Sequence, residues 1–357
     1  MRTFDHLADL PLQVEAYELE GLERVVSSGF TRFTTVVRLR GRGQGGVGED
    51  VTYGEAEQRA QQHAGPILPL AGSYTLASFS DRLAELDLFP TSPAQEAFLD
   101  YRRWGFESAA LDLALRQAGR SLADALDREP RAVTFVVSMR LGDPPSADLI
   151  RRWLDLYPGL RFKLDPTSDW DERLILELAE LGAVDSVDLK GTYRGTVVDN
   201  PVDPKLYRLV AEGFPEAWIE DPALTPETRP LLEPHRDRIT WDAVIHSVRD
   251  IEALPFPPRT INVKPSRFGT VEALCDAYDY CDARGIGMYG GGQFELGPGR
   301  GQIQYVASLF HADAPNDVAP SGFNEGEPRP GLPASPLQPA LSATGFRWRE
   351  VEELVSE

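Results

Sequence analysis

The feature that most constrains the fold is an alternation of short apolar runs with helix-like segments. From about residue 130 onward, eight runs rich in Val, Ile, Phe and Trp recur at intervals of roughly 20 to 35 residues. They are VTFVVSMRL, LRFKLD, AVDSVDLK, AWIED, RITWDAV, TINVKP, GIGMYGG and a weaker NDVAP. The intervening segments, such as SADLIRRWLDLYP, carry apolar residues at three- and four-residue spacing, which is typical of amphipathic helices.

Eight strand–helix units favour a closed (β/α)8 barrel. A doubly wound open sheet has the same alternation, but no GxGxxG turn follows the first run. Closure also suits eight units better than an open sheet does. The sequence therefore predicts an α/β protein whose barrel occupies residues 126–321.

The two ends of the chain show different patterns. Residues 11–52 resemble a β-meander: PLQVEAYELE and FTRFTTVVRLRG are followed by a glycine-rich turn, GRGQGGVG, and by a short EDVTY strand. Helix-like stretches then cover residues 75–89, 92–106 and 107–119. We therefore predict an α+β domain over residues 1–125. The Pro- and Gly-rich segment 322–357 is predicted to be a linker-like return whose last part, GFRWREVEELV, docks again.

Composition excludes several classes of partner. A net charge of -20 argues against binding a phosphate backbone, which requires clustered Lys and Arg. No apolar run is long enough to span a membrane, and MRTFDHLADLPLQ lacks the pattern of a signal peptide. Cys275 and Cys281 have no nearby histidine, so neither a disulfide framework nor a zinc site is indicated. We expect a cytoplasmic protein that binds neither nucleic acid nor membrane.

Polar residues follow the predicted strands, at the end of a parallel barrel where active sites lie. In chain order they are Lys163, Asp165, Asp188, Lys190, Glu220, Asp221, Asp242, Lys264, Gln293 and Glu295. Any single acid in this set could be a solvated turn residue. Three successive strands that each end in a carboxylate instead favour a hard divalent cation, and Mg²⁺ is the natural candidate.

The lysines suggest acid–base chemistry. Lys264, in INVKP, follows an apolar strand and faces the rim that would hold the cation, so it is a candidate general base. A surface lysine or a salt-bridge partner of one of the acids would give the same pattern. Lys163 and Asp165 are two residues apart, so both side chains point to the same face of their strand, which inside a barrel is the lumen.

These strand-end residues together resemble the enolase superfamily, most closely its muconate-lactonizing-enzyme-like branch. The resemblance implies an N-terminal α+β capping domain, a modified TIM (β/α)8 barrel and a C-terminal segment that returns to the cap. It also implies that Asp188, Glu220 and Asp242 bind Mg²⁺. The implied reaction is abstraction of the α-proton of a small organic carboxylate through an enediolate, with lysines that end the second and sixth strands as acid and base.

The chain departs from the family at the second strand, where Lys163-Leu-Asp165 replaces the usual Lys-x-Lys. Lys264 then remains as the base, Lys163 stabilises the substrate carboxylate, and Asp165 is a weak acid or a partner of Lys163. Elimination of water or cycloisomerisation is preferred to two-base racemisation. Lys190 brings an extra cation near the metal or forms a salt bridge with Asp165.

Other reactions stay open. A racemase or epimerase of the same family is one alternative, and a non-catalytic relative that binds metal and carboxylate is another. A Schiff-base aldolase, in which Lys264 is the covalent nucleophile, is a third.

Three further residues are predicted to bind substrate. Glu295 matches the seventh-strand acid of the family, Tyr53 belongs to a cap loop that reaches over the barrel, and Arg267 is a candidate for a second anionic group. A second cap loop, VVSSGFTRF, contains residues 27–29 and matches the mobile loop of the family. An ordinary hairpin connection would also explain it. Assembly into a homo-oligomer is expected because barrels of this type often assemble.

Overall fold

The computed structural model describes residues 2–26, 30–193, 200–325 and 327–348. Residues 27–29 of the predicted mobile loop lie outside the described residues, as does the end of the chain from residue 349.

The described residues of the N-terminal part form five strands and four α-helices. They are β1 (Pro11–Val14), β2 (Ala16–Val25), β3 (Thr31–Gly41), β4 (Gln44–Asp50), α1 (Glu55–Ala64), β5 (Gly72–Thr75), α2 (Leu76–Ala84), α3 (Ala97–Gln117) and α4 (Leu122–Leu126), after a 3-10 helix at Thr3–His6. β2, β3 and β4 form an antiparallel sheet, and β1 pairs antiparallel with β5. The residues predicted as two helical stretches form the single helix α3, which packs against β3 and β4.

The prediction of a glycine-rich turn was wrong. The turn contains only residues 42–43, and QGGVGED forms strand β4. Gly46 and Gly48 have a packing role instead: a Cβ atom at either position would collide with the backbone of α3 at Ala109 or Gly105. The glycines therefore let a helix lie directly on the strand, a close approach that sequence pattern alone did not separate from a turn.

The C-terminal part alternates strands and helices. Its strands are β6 (Val137–Met139), β7 (Phe162–Leu164), β8 (Val184–Asp188), β9 (Trp218–Glu220), β10 (Ile239–Thr240), β11 (Thr260–Val263) and β12 (Gly287–Gly290). Its helices are α5 (Asp148–Leu156), α6 (Glu172–Glu180), α7 (Pro204–Gly213), α8 (Arg229–Leu232), α9 (Val248–Glu252), α10 (Pro265–Phe268), α11 (Val271–Arg284) and α12 (Pro298–Phe310), with 3-10 helices at Glu233–Arg238 and Ser321–Asn324.

The strands form a closed barrel. β6 to β10 make a parallel sheet in chain order, and β11 pairs in parallel with β12. The Asn262 N–H donates to the Trp241 carbonyl at 2.9 Å, which joins β11 to the end of β10. Asn316 and Asp317, in the eighth apolar run, bridge residue 135 before β6 and residue 291 after β12. The predicted α/β class and modified barrel are thus confirmed.

Helix α7 illustrates how the sequence builds the outer layer. The Asp203 carboxylate caps its N-terminus by accepting from the Lys205 and Leu206 N–H groups at 2.9 and 3.1 Å, and Pro204 occupies the first turn. Leu206 and Val210, four residues apart, are buried on one face. Local signals therefore start the helix, and its apolar face attaches it to the barrel.

Residues 346–348, after the barrel, contact helix α3 of the N-terminal part. Phe346 and Trp348 are buried, and the Phe346 N–H donates to Asp112 Oδ1 on α3 at 2.8 Å. Arg347 reaches the other oxygen of the same carboxylate. Among the described residues, no helix combines the length and apolarity needed to cross a membrane.

Candidate active site

Three carboxylates meet at the C-terminal rim of the barrel. Asp188 ends β8, Glu220 ends β9, and Asp242 follows β10 by two residues. Asp188 and Glu220 are register partners, so parallel pairing itself places their side chains side by side. All three side chains are buried, and one oxygen from each lies within 4.8 Å of the others. The structure therefore brings together the three residues predicted to bind a metal.

The chemistry of this cluster fits a hard divalent cation. All its donors are carboxylate oxygens, the ligands that Mg²⁺ prefers, and a cation between them would offset the repulsion of carboxylates so close together. The Lys163 ammonium already lies in this field: its Nζ is 3.3 Å from Asp188 Oδ2 and contacts Glu220 Oε1. Asp188, Glu220 and Asp242 could therefore hold Mg²⁺.

Lys163 is a buried, permanently charged group. Burial alone would lower the pKa of its ammonium, but the carboxylates of Glu220, Asp188 and Asp317 raise that pKa well above its usual value. Asp317 Oδ2 lies 3.6 Å from Lys163 Nζ. The pKa of Glu220 is raised, because burial and the neighbouring acids Asp188 and Asp242 outweigh Lys163. Lys163 is thus suited to attract an anion rather than to accept a proton.

Lys264 lies on the other side of the cluster, at the end of β11. Its Nζ donates to Asp242 Oδ2 at 2.8 Å, and Arg267 Nη1 donates to Asp242 Oδ1 at 2.8 Å. Burial opposes ionisation of Asp242, but these two cations lower the pKa of its carboxyl group below the usual range. The guanidinium of Arg267, predicted to bind substrate, is therefore paired with a metal-site carboxylate in this structure.

Asp165 and Lys190 form an ion pair beside the cluster. Lys190 Nζ lies 3.4 Å from Asp165 Oδ1 and also contacts Asp188 Oδ2. Arg140 Nε approaches the other oxygen of Asp165 at 3.6 Å. Burial raises the pKa of Asp165 despite Lys190, whereas the adjacent carboxylates raise the pKa of Lys190 against the effect of burial. Of the two pairings open from the sequence, Asp165 makes the one with Lys190.

The backbone at this rim is bent into an unusual conformation. Lys190, Asp221 and Phe294 have φ angles of 52°, 48° and 53°, in the left-handed region that costs a non-glycine residue about 1 kcal/mol or more. Lys190 and Asp221 follow strands that end in Asp188 and Glu220, and Phe294 lies in the loop after β12. Asp221 also accepts from the Asp242 and Ala243 N–H groups at 2.9 and 2.8 Å, which ties β9 to the loop after β10.

The other two predicted substrate-binding residues occupy different surroundings. Glu295 is buried in the loop after β12, where its carboxylate lies 3.1 Å from Arg300 Nη2 and accepts from the Gln293 N–H at 2.6 Å. Tyr53 belongs to the cap and is 39% exposed, with the Arg32 guanidinium 4.1 Å from the centre of its ring. Tyr53 therefore presents accessible surface, whereas Glu295 is buried and paired with Arg300 and with a backbone N–H of its own loop.

Two tyrosine side chains touch the cluster, and one of them, Tyr289, was not predicted from the sequence. Tyr289, on β12, donates to Glu220 Oε2 at 2.5 Å, and Tyr193 donates to Asp242 Oδ2 at 3.0 Å. Asp317, which lies near Lys163, was also missed because the eighth run is weak. Tyr289 could have been found, since it occupies a strand end.

Lysine scarcity is a further signal in the sequence. Among the 36 basic residues only four are lysines, at positions 163, 190, 205 and 264, and three of these lie in the site. Arginine supplies positive charge elsewhere but keeps its proton in proteins, whereas lysine is a compact ammonium whose proton can be exchanged. This distribution selects the same three lysines as the strand-end pattern does.

Family models match most of the chain. The model described as "Domain of unknown function (DUF8230) C-terminal domain" matches residues 129–325, and the corresponding N-terminal domain model matches residues 5–125. The chain belongs to the DUF8230 family.

Relatives with assigned names resemble part of this DUF8230 protein. An N-succinylamino acid racemase of Amycolatopsis sp is 30% identical over 226 residues, which cover 60% of this chain and 59% of that protein. An o-succinylbenzoate synthase of Bacillus subtilis (strain 168) is 27% identical over 232 residues, or 61% of this chain and 58% of that protein. The matches thus span less than two thirds of either relative.

The fold of this DUF8230 protein is shared with a solved structure over nearly its full length. Muconate lactonizing enzyme from Pseudomonas putida superposes with a TM-score of 0.65 at 17% sequence identity, covering 96% of this chain and 99% of that one. The similarity to the muconate-lactonizing-enzyme-like branch of the enolase superfamily is confirmed. At this identity the structural likeness shows the fold alone.

Proposed function

We propose that this protein is a Mg²⁺-dependent enzyme that removes the α-proton of a small organic carboxylate and then eliminates water or cyclises the product. The observation that carries the proposal is the buried cluster of Asp188, Glu220 and Asp242 flanked by Lys163 on one side and Lys264 on the other. When bound, Mg²⁺ supplies positive charge that stabilises the negative charge developing on the carboxylate oxygens as the proton leaves. The protein's own residues do the rest.

Lys264 is the proposed general base. Its side chain is 7% exposed and is held beside Asp242. Gly291 lies directly against it, because a Cβ atom at residue 291 would come within 2.6 Å of Lys264 Cε. The stem of the lysine is therefore confined, which places its amine for transfer of a proton at its Nζ.

Lys163 is the proposed anchor for the substrate carboxylate. Neighbouring carboxylates raise the pKa of its ammonium against the effect of burial, and it points into the cluster from β7. A charged donor fixed in a buried site lowers the energy of an anion that gains charge during the reaction.

Asp165 is the proposed acid that would protonate a leaving hydroxyl. Burial raises the pKa of its carboxyl group, the direction of change that general-acid catalysis by a carboxyl group requires. One lysine base and one carboxyl group make the two sides of the site chemically unequal. This inequality favours elimination or cycloisomerisation over racemisation, which requires a comparable base on each face.

The naming of one relative as a racemase supports a second candidate, racemisation or epimerisation by the same residues. A relative that binds metal and carboxylate without catalysis is the third candidate. Several other predictions from the sequence also remain proposals. They are the substrate roles of Arg267, Glu295 and Tyr53, the domain limits 1–125, 126–321 and 322–357, assembly into a homo-oligomer, and a cytoplasmic location.

The test is solvent deuterium exchange followed by NMR. Acid sugars, N-succinyl amino acids, muconate-like acids and o-succinylbenzoate are incubated in deuterated buffer with Mg²⁺ and either the wild type or Lys264→Ala. We expect exchange at the α-carbon that disappears in Lys264→Ala and when a chelator is added. Lys205→Ala is the matched control, because Lys205 is exposed on α7.

Exchange that persists in Lys264→Ala would contradict the assigned base. Mg²⁺ binding without any exchange would favour the non-catalytic relative. Exchange that resists the chelator would contradict the metal assignment.

A further inference from the structure

The cap contacts residues 291–299, which comprise the loop after β12 and the first two residues of α12 and which we name the seventh-strand loop. We propose that two buried cap residues, Glu49 on β4 and Arg32 on β3, form a clasp that fixes this loop and thereby positions Lys264. The inference rests on the proposed role of Lys264 as the base, and it makes Glu49 and Arg32 positioning residues.

Glu49 holds the second half of the loop. Its Oε1 accepts from the N–H groups of Leu296 and Gly297 at 2.7 and 3.1 Å, and its Oε2 accepts from Gly297 and Gly299 at 3.0 and 2.9 Å. One carboxylate thus binds three backbone N–H groups at the start of α12. Burial and the nearby Glu295 carboxylate raise the pKa of Glu49, against the effect of these donors.

Arg32 holds the first half of the loop. Its Nε and Nη2 both donate to the Gln293 carbonyl, at 3.2 and 3.0 Å. The remaining donors of the guanidinium reach carbonyls of the cap itself, at Phe33, Val51 and Thr52. Arg32 therefore connects two cap strands to the barrel loop through a single rigid group.

Both charged groups are 1% exposed. Burying a charge is costly unless hydrogen bonds replace the lost water, and hydrogen bonds to charged groups are the stronger kind. Both side chains direct such bonds to backbone groups of one loop, the carboxylate to N–H groups and the guanidinium to a carbonyl. These opposite preferences define the orientation of the loop as well as its position.

The loop in turn borders the base. Gly291, two residues before the carbonyl that Arg32 holds, leaves no room beside Lys264 Cε. At the same loop, Phe294 packs edge-to-face on Phe30 of the cap, with ring centres 5.7 Å apart. A displacement of the loop would therefore remove the wall against which the Lys264 stem rests.

The test compares the chemical accessibility of the four lysines in this chain. The rate of labelling by an amine-reactive reagent, trinitrobenzenesulfonate, is measured for each of the four lysines by mass spectrometry in the full-length wild type, Glu49→Gln and Arg32→Gln. We expect the labelling rate of Lys264, relative to that of exposed Lys205, to rise about tenfold in either variant. A tenfold change is what the loss of one hydrogen bond to a charged group would produce. Lys163 and Lys190 should label at wild-type rates.

The matched controls are Glu20→Gln and Arg38→Gln. These residues form an exposed ion pair on the same cap sheet and should leave all four rates unchanged. Unchanged labelling of Lys264 in Glu49→Gln and Arg32→Gln would overturn the clasp. An equal rise at Lys163, Lys190 and Lys264 would also overturn it, because general loosening of the fold would then explain the result. If one variant fails to fold, the other decides.

A second readout separates this inference from the proposed function. With a substrate found by deuterium exchange, Glu49→Gln should lower the exchange rate at saturating substrate about tenfold, while Mg²⁺ affinity measured by calorimetry stays at the wild-type value. If the wild type exchanges no carboxylate at all, the proposed function fails, and the labelling rates still decide the clasp.

Discussion

The stability of the barrel should depend on pH through one buried histidine. His311 follows α12, and its ring is 6% exposed. Its Nδ1 lies 2.6 Å from Asn316 Oδ1 and its Nε2 lies 3.3 Å from the Tyr278 hydroxyl. Asn316 belongs to the segment that closes the barrel between β12 and β6, so His311 supports the closure.

Burial lowers the pKa of His311 from 6.5 to about 4, in spite of its hydrogen bond with Asn316. The His311 ring therefore binds a proton below pH 6.5 in the unfolded chain but only below about pH 4 in the folded protein. The contribution of neutral His311 to the free energy of unfolding is complete above pH 6.5 and is lost as the pH falls to about 4. A difference of about 2.5 pKa units corresponds to about 3 kcal/mol.

The assay is urea unfolding of the wild type and His311→Asn between pH 7.5 and pH 4, at steps of about half a unit. The difference in the free energy of unfolding between the two proteins should shrink by about 3 kcal/mol over this range, because other titrating groups cancel in the difference. His63→Asn, at an exposed position near the end of α1, should show no such change. A difference between wild type and His311→Asn that is constant with pH would show that folding does not shift the pKa of His311.

Three further predictions concern the site. Asp188→Asn, which removes one cluster charge with little change in volume, should weaken Mg²⁺ binding at least about tenfold by calorimetry, and unchanged affinity would exclude Asp188 as a ligand. Gly291→Ala should lower α-proton exchange without altering Mg²⁺ affinity, because its Cβ would displace Lys264; exchange at the wild-type rate would show that the lysine stem is not confined there. Asp165→Asn should slow product formation about 100-fold while leaving α-proton exchange by Lys264 in place, and equal loss of both would assign Asp165 a different role.

The sequence predicted features that repeat or lie at strand ends. Alternation of apolar runs predicted the barrel, and parallel strands in chain order necessarily bring residues such as Asp188 and Glu220 to one rim. The glycine-rich strand β4 was mistaken for a turn because glycine serves both tight turns and close packing. Only the position of α3 distinguishes the two uses.

Contacts between distant parts of the chain could not be predicted. The pairing of Glu49 with N–H groups about 250 residues away depends on how the cap sits on the barrel. Whether Asp165 pairs with Lys163 or Lys190 depends on the left-handed backbone at Lys190. This backbone conformation is uncommon for a residue other than glycine, and no local pattern in the sequence predicts it. Such details arise from tertiary structure rather than from periodicity.

In the proposed mechanism a single base, Lys264, removes the α-proton from one face of the substrate. The most direct test follows one sample of an N-succinyl-L-amino acid, or another chiral acid found in the exchange screen, in deuterated buffer with Mg²⁺. NMR measures deuterium uptake at the α-carbon, and circular dichroism measures loss of optical activity over the same time. We expect deuterium uptake with optical activity retained, whereas racemisation as fast as uptake would show that a second base acts on the opposite face.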